Sequence, residues 1–210
     1  MLFATLHRAG MGPADARDRA CAWLDRAADL TSSEPLEPSL FGGYAGVAWT
    51  MTHLLPHLYD TDAEDPAGDV DEALLEVLGE SPWSGDYDLI EGLVGLGVYA
   101  LERLPRPAAR VCLERCIDRL AELSVRSATG VTWNTPARLL LAMQREAFPE
   151  GFFNVGVAHG VPGVIALLGS VHAAGVRPAG ARDLLDGAVA WTLSQRLPGG
   201  SGSRLPAMVP

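Results

Sequence analysis

At three places in the chain, a pair of glycines in a GxxG arrangement stands at the start of an apolar run. The copies are separated by 49 and then 68 residues, and such repetition is typical of folds built from similar units. The three segments are SLFGGYAGVAWTMTHLL (39–55), DLIEGLVGLGVYALERL (88–104) and GVAHGVPGVIALLGSVH (156–172). A helix with no polar face must be enclosed, so the repeat predicts buried helices that begin near the glycines.

Amphipathic segments alternate with the apolar ones. In the clearest, 107–125, an apolar stripe that includes Cys112 and Cys116 faces a row of arginines and glutamates. Helices are also predicted over 14–30, 70–80, 135–147 and 181–197, and no period-two strand pattern competes with them. Apolar helices surrounded by amphipathic ones predict an all-α protein, an α/α toroid in which inner helices are ringed by outer ones.

The chain is expected to form a single domain over 1–210. Clusters of turn-forming and acidic residues predict linkers at 32–38, 61–69 and 81–86, and the last residues, PGGSGSRLPAMVP, are predicted to be loop.

Composition excludes several classes of function. The formal net charge is −10 and no basic run offsets it, which argues against nucleic-acid binding. The N-terminus lacks a secretory signal, and three cysteines make no disulfide framework, so we expect a cytoplasmic protein. The uncharged stretch 155–176 is long enough for a bilayer, but its two histidines, proline and five glycines favour a buried interior helix over a membrane span.

Two positions differ in polarity between the copies of the repeat. The residues immediately before each GxxG are Gly42, Glu91 and His159. The residues three positions earlier are Ser39, Asp88 and Gly156. Only the second and third copies carry ionisable groups there, and within a repeated framework such differences are candidates for chemistry.

Each of these groups also has a structural interpretation. Asp88 and Glu91 have the spacing of a helix capping box, and His159 could simply bond to nearby backbone. The functional interpretation starts from Pro162, which suits the first turn of a helix and places His159 in the loop just before it. If the repeats surround a common axis, Asp88 and His159 can share one site, and histidine with carboxylate is a workable proton-transfer pair.

The sequence resembles the lanthionine synthetase C-like (LanC-like) family. Three motifs carry the resemblance: SLFGGYAGVA, DYDLIEGLVGLGVYALERL and GFFNVGVAHGVPGVIALL, of which the last is the most specific. The resemblance implies a double-layered helical toroid of roughly seven helix pairs, of which this chain has about three. Asp88 matches the family's active-site aspartate in YDxIxG, and His159 matches the active-site histidine in AHG.

The resemblance also implies an activity: cyclases of this family add a peptide cysteine thiol to dehydroalanine or dehydrobutyrine in a lanthipeptide precursor. Zinc is implied as the cofactor that binds the thiol, with His159 protonating the enolate and Asp88 acting as base, orienting group or electrostatic partner. The implied partners are the precursor peptide and either a dehydratase or a complementary C-terminal half.

The zinc ligands of the family come from WCxG and CHG motifs, and neither motif occurs in this chain. Its cysteines are Cys21, Cys112 and Cys116, which are expected to be core residues, so the chain is predicted to supply no metal ligand. We therefore expect the N-terminal half of a cyclase, inactive by itself. The alternatives are an α/α-toroid glycoside hydrolase that uses Asp88 and Glu91, and a non-catalytic peptide-binding module.

Overall fold

The computed structural model of the protein describes residues 1–59 and 65–210. Within them the helices are α1 (Leu2–Arg8), α2 (Ala16–Ser33), α3 (Tyr44–Leu58), α4 (Gly68–Val77), α5 (Leu93–Glu102), α6 (Pro107–Leu123), α7 (Ala142–Ala147), α8 (Val161–Ala173) and α9 (Pro178–Ser194). The strands are β1 (Val125–Ser127), β2 (Gly130–Thr132), β3 (Asn134–Thr135), β4 (Phe152–Asn154) and β5 (Met208–Val209). The protein is all-α in class, as predicted, and its described residues also form a two-stranded sheet (β1–β2) and a three-stranded sheet (β3–β4–β5), both antiparallel.

The three apolar segments form the inner helices α3, α5 and α8, which lie side by side with α5 in the middle. Amphipathic helices cover them from outside: α2 packs on α3, α6 on α5 and α9 on α8. Seven of the ten residues of α5 are buried, because this helix is enclosed on all sides. The predicted inner and outer layers are therefore confirmed. In the described part of the chain, no helix is both long and apolar enough to cross a membrane.

The helix predicted over 135–147 is wrong. Proline at 136 favours an extended conformation for Thr135, and β3 pairs with β4 instead of starting a helix. A single 3₁₀ turn (Ala137–Leu139) and the short α7 follow it. The loop predicted for the C-terminus is also wrong in part, since β5 pairs with β4.

The linkers are shorter than expected where helices extend into them. Helix α2 continues to Ser33, and α4 already begins at Gly68. Residues 61–64 of the linker predicted at 61–69 lie outside the described residues. The linker at 81–86 contains no helix or strand, as predicted.

All six GxxG glycines have one structural role. A Cβ atom on any of them would collide with the carbonyl oxygen of the residue six positions earlier, at 1.9 to 2.5 Å. In the third copy, for example, a Cβ on Gly160 would lie 2.1 Å from the Asn154 oxygen, and one on Gly163 would lie 2.4 Å from that of Val157. Glycine is required here because the backbone of the preceding loop folds back against the start of the helix and leaves no room for a Cβ atom. The loops before all three inner helices make this same contact.

A buried ion-pair network lies at the C-terminal end of α5, the inner helix of the second repeat. The guanidinium of Arg103 pairs with Asp71 and Asp65, and the Tyr99 phenol donates to the Asp71 carboxylate at 2.6 Å. The Arg103 side chain is only 2% exposed, so these carboxylates offset the cost of burying its positive charge. This network joins α4 to α5 and stabilises the helix that leads away from the candidate site.

Candidate active site

Backbone hydrogen bonds join the loops that precede the three inner helices. The Phe41 amide donates to the Ile90 carbonyl at 3.1 Å, which connects the first loop to the second. The Leu89 amide donates to the Ala158 carbonyl at 3.0 Å, which connects the second loop to the third. The loops therefore form one continuous surface at the ends of the inner helices, and residues distant in sequence meet there.

Asp88 is fixed within the second loop. Its side chain is 4% exposed, and Oδ1 accepts hydrogen bonds from the amides of Ile90, Glu91 and Gly92 at 3.0, 2.8 and 3.2 Å. Helix α5 begins only at Leu93, so these amides belong to the loop. The predicted capping box is therefore wrong: Asp88 organises the loop before the helix, and the exposed carboxylate of Glu91 makes no hydrogen bond back to the Asp88 amide within the described residues.

His159 lies opposite Asp88 in the third loop. Its Nδ1 is 2.5 Å from Asp88 Oδ2, although the two residues are 71 positions apart in sequence. Helix α8 begins at Val161 with Pro162 in its first turn, as predicted, so the histidine stands just outside the helix. Because a carboxylate accepts the hydrogen bond, Nδ1 carries a proton and Nε2 is left to give or take one.

The two side chains differ in exposure. The His159 side chain is 59% exposed, whereas the Asp88 side chain is almost completely buried. A buried carboxylate behind an exposed imidazole is an arrangement suited to orienting the ring for proton transfer. The structure thus brings together the two residues singled out in the sequence.

A cavity of about 320 Å³ lies at this pair. Beside Asp88 and His159, it is lined by Asp86, Glu91, Thr135, Leu139, Leu140, Leu141, Gln144, Phe152 and Asn154. Burial, together with the nearby Asp88 charge, raises the pKa of Asp86. Most of the other wall comes from the segment between α6 and α8. A helix was predicted over 135–147 of this segment, so the lining residues there were not recognised from the sequence. Asn154, which lies within GFFNVGVAHGVPGVIALL, was the one available signal.

The described residues do not fit a zinc site. Among them, no group of three or more histidine, cysteine, aspartate or glutamate side chains could hold a metal ion. Cys112 and Cys116 are free and buried, as expected of core residues. Burial raises the pKa of Cys112 to about 11 and that of Cys116 further, which opposes the thiolate form that zinc requires.

Comparison with known proteins relates this chain to one family. Residues 1–202 match the family model described as lanthionine synthetase C-like protein. No curated protein matches the chain. The solved structure of nisin cyclase is similar in fold, with a TM-score of 0.74 at 19% sequence identity, and the match covers 99% of this chain. The chain spans 53% of the length of nisin cyclase, whose helical toroid agrees with the predicted fold.

Proposed function

The chain belongs to the lanthionine synthetase C-like family, and from this premise we propose that it supplies the Asp88–His159 part of a peptide thioether cyclase. The reaction would add a cysteine thiol to dehydroalanine or dehydrobutyrine in a lanthipeptide precursor. The observation that carries the proposal is the hydrogen bond from His159 Nδ1 to Asp88 Oδ2 at the edge of a cavity.

In this reaction His159 acts as a general acid. Sulfur attacks the β-carbon of the dehydro residue, and the electron pair of the double bond moves towards the carbonyl to give an enolate. Protonation of the α-carbon by the exposed imidazole completes the thioether. The thiol S–H bond breaks and its proton passes to solvent, while an electron pair of the sulfur forms the new C–S bond. The imidazole supplies the proton of the new Cα–H bond and is reprotonated from solvent, so the reaction is balanced.

Asp88 acts as the group that orients His159. Oδ1 is occupied by three loop amides, so the carboxylate cannot rotate freely, and Oδ2 holds the imidazole by Nδ1. Proton transfer by the carboxylate itself is the weaker assignment, because its side chain is buried behind the ring.

Zinc chemistry is assigned to residues outside this chain. In the family the metal lowers the pKa of the cysteine thiol, and the WCxG and CHG motifs that hold it do not occur here. We therefore place this chain as the N-terminal half of a cyclase, dependent on a polypeptide that carries those motifs.

The glycoside hydrolase alternative has less support. Asp88 and Glu91 would have to act as an acid–base pair across a glycosidic bond. Both oxygens of Asp88 are already engaged, one by amides and the other by His159. The other alternative is a peptide-binding module without catalysis, and the following experiment distinguishes it from a cyclase.

The test combines a gene and a reaction. We expect the WCxG and CHG motifs to be encoded in frame after Pro210 or in a neighbouring gene. The product of that coding sequence is then co-expressed with this chain. Dehydrated nisin precursor is the probe, and cyclisation is followed by mass spectrometry as loss of thiols that react with iodoacetamide. His159→Asn should abolish cyclisation, whereas His172→Asn, at the far end of α8, should not.

Three results would count against the proposal. One is the absence of any coding sequence for the zinc motifs in the genome. Another is full activity of the His159→Asn variant. The third is peptide binding by the zinc-loaded complex without thioether formation, which would identify a binding module instead of an enzyme.

A further inference from the structure

Tyr87, the residue before Asp88, lies completely within the core, yet it carries a polar group. Its exposure is 1%, and its ring packs against Trp133 at a centroid distance of 6.4 Å. The indole nitrogen of Trp133 in turn donates to the Leu120 carbonyl of α6 at 2.8 Å. The ring of Tyr87 is therefore anchored to the outer layer, and phenylalanine would fill the same space.

The phenol of Tyr87 reaches the other half of the candidate site. Its hydroxyl donates to the backbone carbonyl of His159 at 3.3 Å. Burial raises the pKa of Tyr87 far above its usual value, so the phenol keeps its proton and remains a donor throughout the neutral range. The dipeptide Tyr87–Asp88 thus contacts His159 twice, at its carbonyl through Tyr87 and at its imidazole through Asp88.

The contact is particular to this repeat. The residues equivalent to Tyr87 in the first and third copies are Pro38 and Val155, neither of which can donate from its side chain. A tyrosine here is therefore no requirement of the repeated framework, and the buried hydroxyl is directed to the one loop that carries a histidine. A hydrogen bond to the main chain of a site residue fixes the backbone position from which its side chain extends.

We propose that Tyr87 is a positioning residue, which holds the third loop so that the His159 imidazole meets Asp88. The proposal rests on the proposed function only in treating this pair as catalytic. The geometry of the pair can be measured without any reaction, so failure of one proposal is distinguishable from failure of the other.

The direct test is NMR of the protein labelled with ¹⁵N-histidine. Tyr87→Phe keeps the ring and removes the donor, and it should shift the His159 nitrogen resonances and speed exchange of the Nδ1 proton about tenfold. Tyr99→Phe is the matched control, since Tyr99 is also buried and bonded but contacts Asp71 instead of the site. The control should lower thermal stability and leave the His159 resonances in place.

Cyclisation by the complete enzyme gives a second measurement. Tyr87→Phe should lower kcat about tenfold and leave KM nearly unchanged, because the bound peptide still meets the same cavity but the proton donor is misplaced. If Tyr87→Phe does not fold, 3-fluorotyrosine placed at position 87 keeps the ring and strengthens the donor, which should also move the His159 resonances.

Unchanged His159 resonances in a folded Tyr87→Phe or fluorotyrosine protein would overturn the proposal. So would an equal shift in Tyr99→Phe, since that would indicate general loosening instead of positioning. A change in KM with kcat preserved would likewise refute it.

Discussion

Helix α8 contains two glycines that look alike in the sequence and should respond oppositely to alanine. A Cβ on Gly163 would lie 2.4 Å from the Val157 carbonyl oxygen, whereas a Cβ on Gly169 would have no neighbour within 4 Å. Neither residue has a positive φ, so the expected difference between the two alanine variants comes from the contact of the Cβ atom with the Val157 oxygen. A carbon and an oxygen keep about 3.3 Å even in a close C–H···O contact, so Gly163→Ala requires the loop or the helix to move.

The two effects can be given magnitudes. Alanine in place of glycine within a helix gains about 0.5–1 kcal/mol, and Gly169→Ala should realise this gain. Overpacking costs about 1–3 kcal/mol, and a clash with backbone belongs at the upper end, so Gly163→Ala should lose roughly 2 kcal/mol net. A difference of about 3 kcal/mol corresponds to roughly 6–12 °C in Tm for a chain of this size.

Thermal and urea unfolding of the two variants would measure this difference. Equal stability of Gly163→Ala and Gly169→Ala would refute the explanation of the GxxG motif, because the contact with the carbonyl oxygen would then not be the reason that glycine is required. A lower urea midpoint for Gly163→Ala with an unchanged m-value is expected, since the variant should weaken the native fold without altering its compactness.

Other predictions follow from the loop, the ion pairs and the cysteines. Asp88→Ala should destabilise the protein by about 2–4 kcal/mol in urea unfolding, because three loop amides lose their acceptor, and Asp88→Asn should cost less than half as much. Equal losses would contradict this role. Arg103→Ala should cost about 3–5 kcal/mol in the same measurement, since it leaves Asp71 buried without its partner, and a loss below 1 kcal/mol would refute that. Because burial raises the pKa of Cys112 to about 11 and that of Cys116 further, both thiols should stay unreactive towards DTNB at pH 8 until the protein unfolds. Rapid labelling of either in the native protein would contradict its burial.

The inner layer could be predicted because its physical signal is local. A helix that is apolar on every side, with glycines at its start, has few ways to be placed in a folded protein. The pair Asp88 and His159 was predictable for a related reason: both depart from a repeated pattern, at positions that the repeat brings to the same end of neighbouring helices.

The wall of the cavity was not predictable in the same way. Residues 135–147 carry apolar side chains at a spacing that suits a helix, but Thr135 pairs with β4, and a 3₁₀ turn and the short α7 follow it. Pro136 is the one local signal against a helix that starts at Thr135. Strand pairing depends on a partner distant in sequence, and two-residue strands give no alternation to detect. The role of Tyr87 was hidden for the same reason, because its acceptor lies in another repeat.

The repeated framework builds two related cavities, and only one of them has an acid–base pair. Between the first and second loops, a cavity of about 610 Å³ is lined in part by Ser39 and Glu91, which are equivalent in position to Asp88 and His159. Ser39 Oγ donates its proton to the Phe41 carbonyl within its own loop, so no pair across the junction forms. The residue immediately before each GxxG is exposed in all three copies, and it is therefore free to vary while the glycines are not. The glycines fix how each inner helix begins, and the chemistry of each junction depends on the side chains placed beside them.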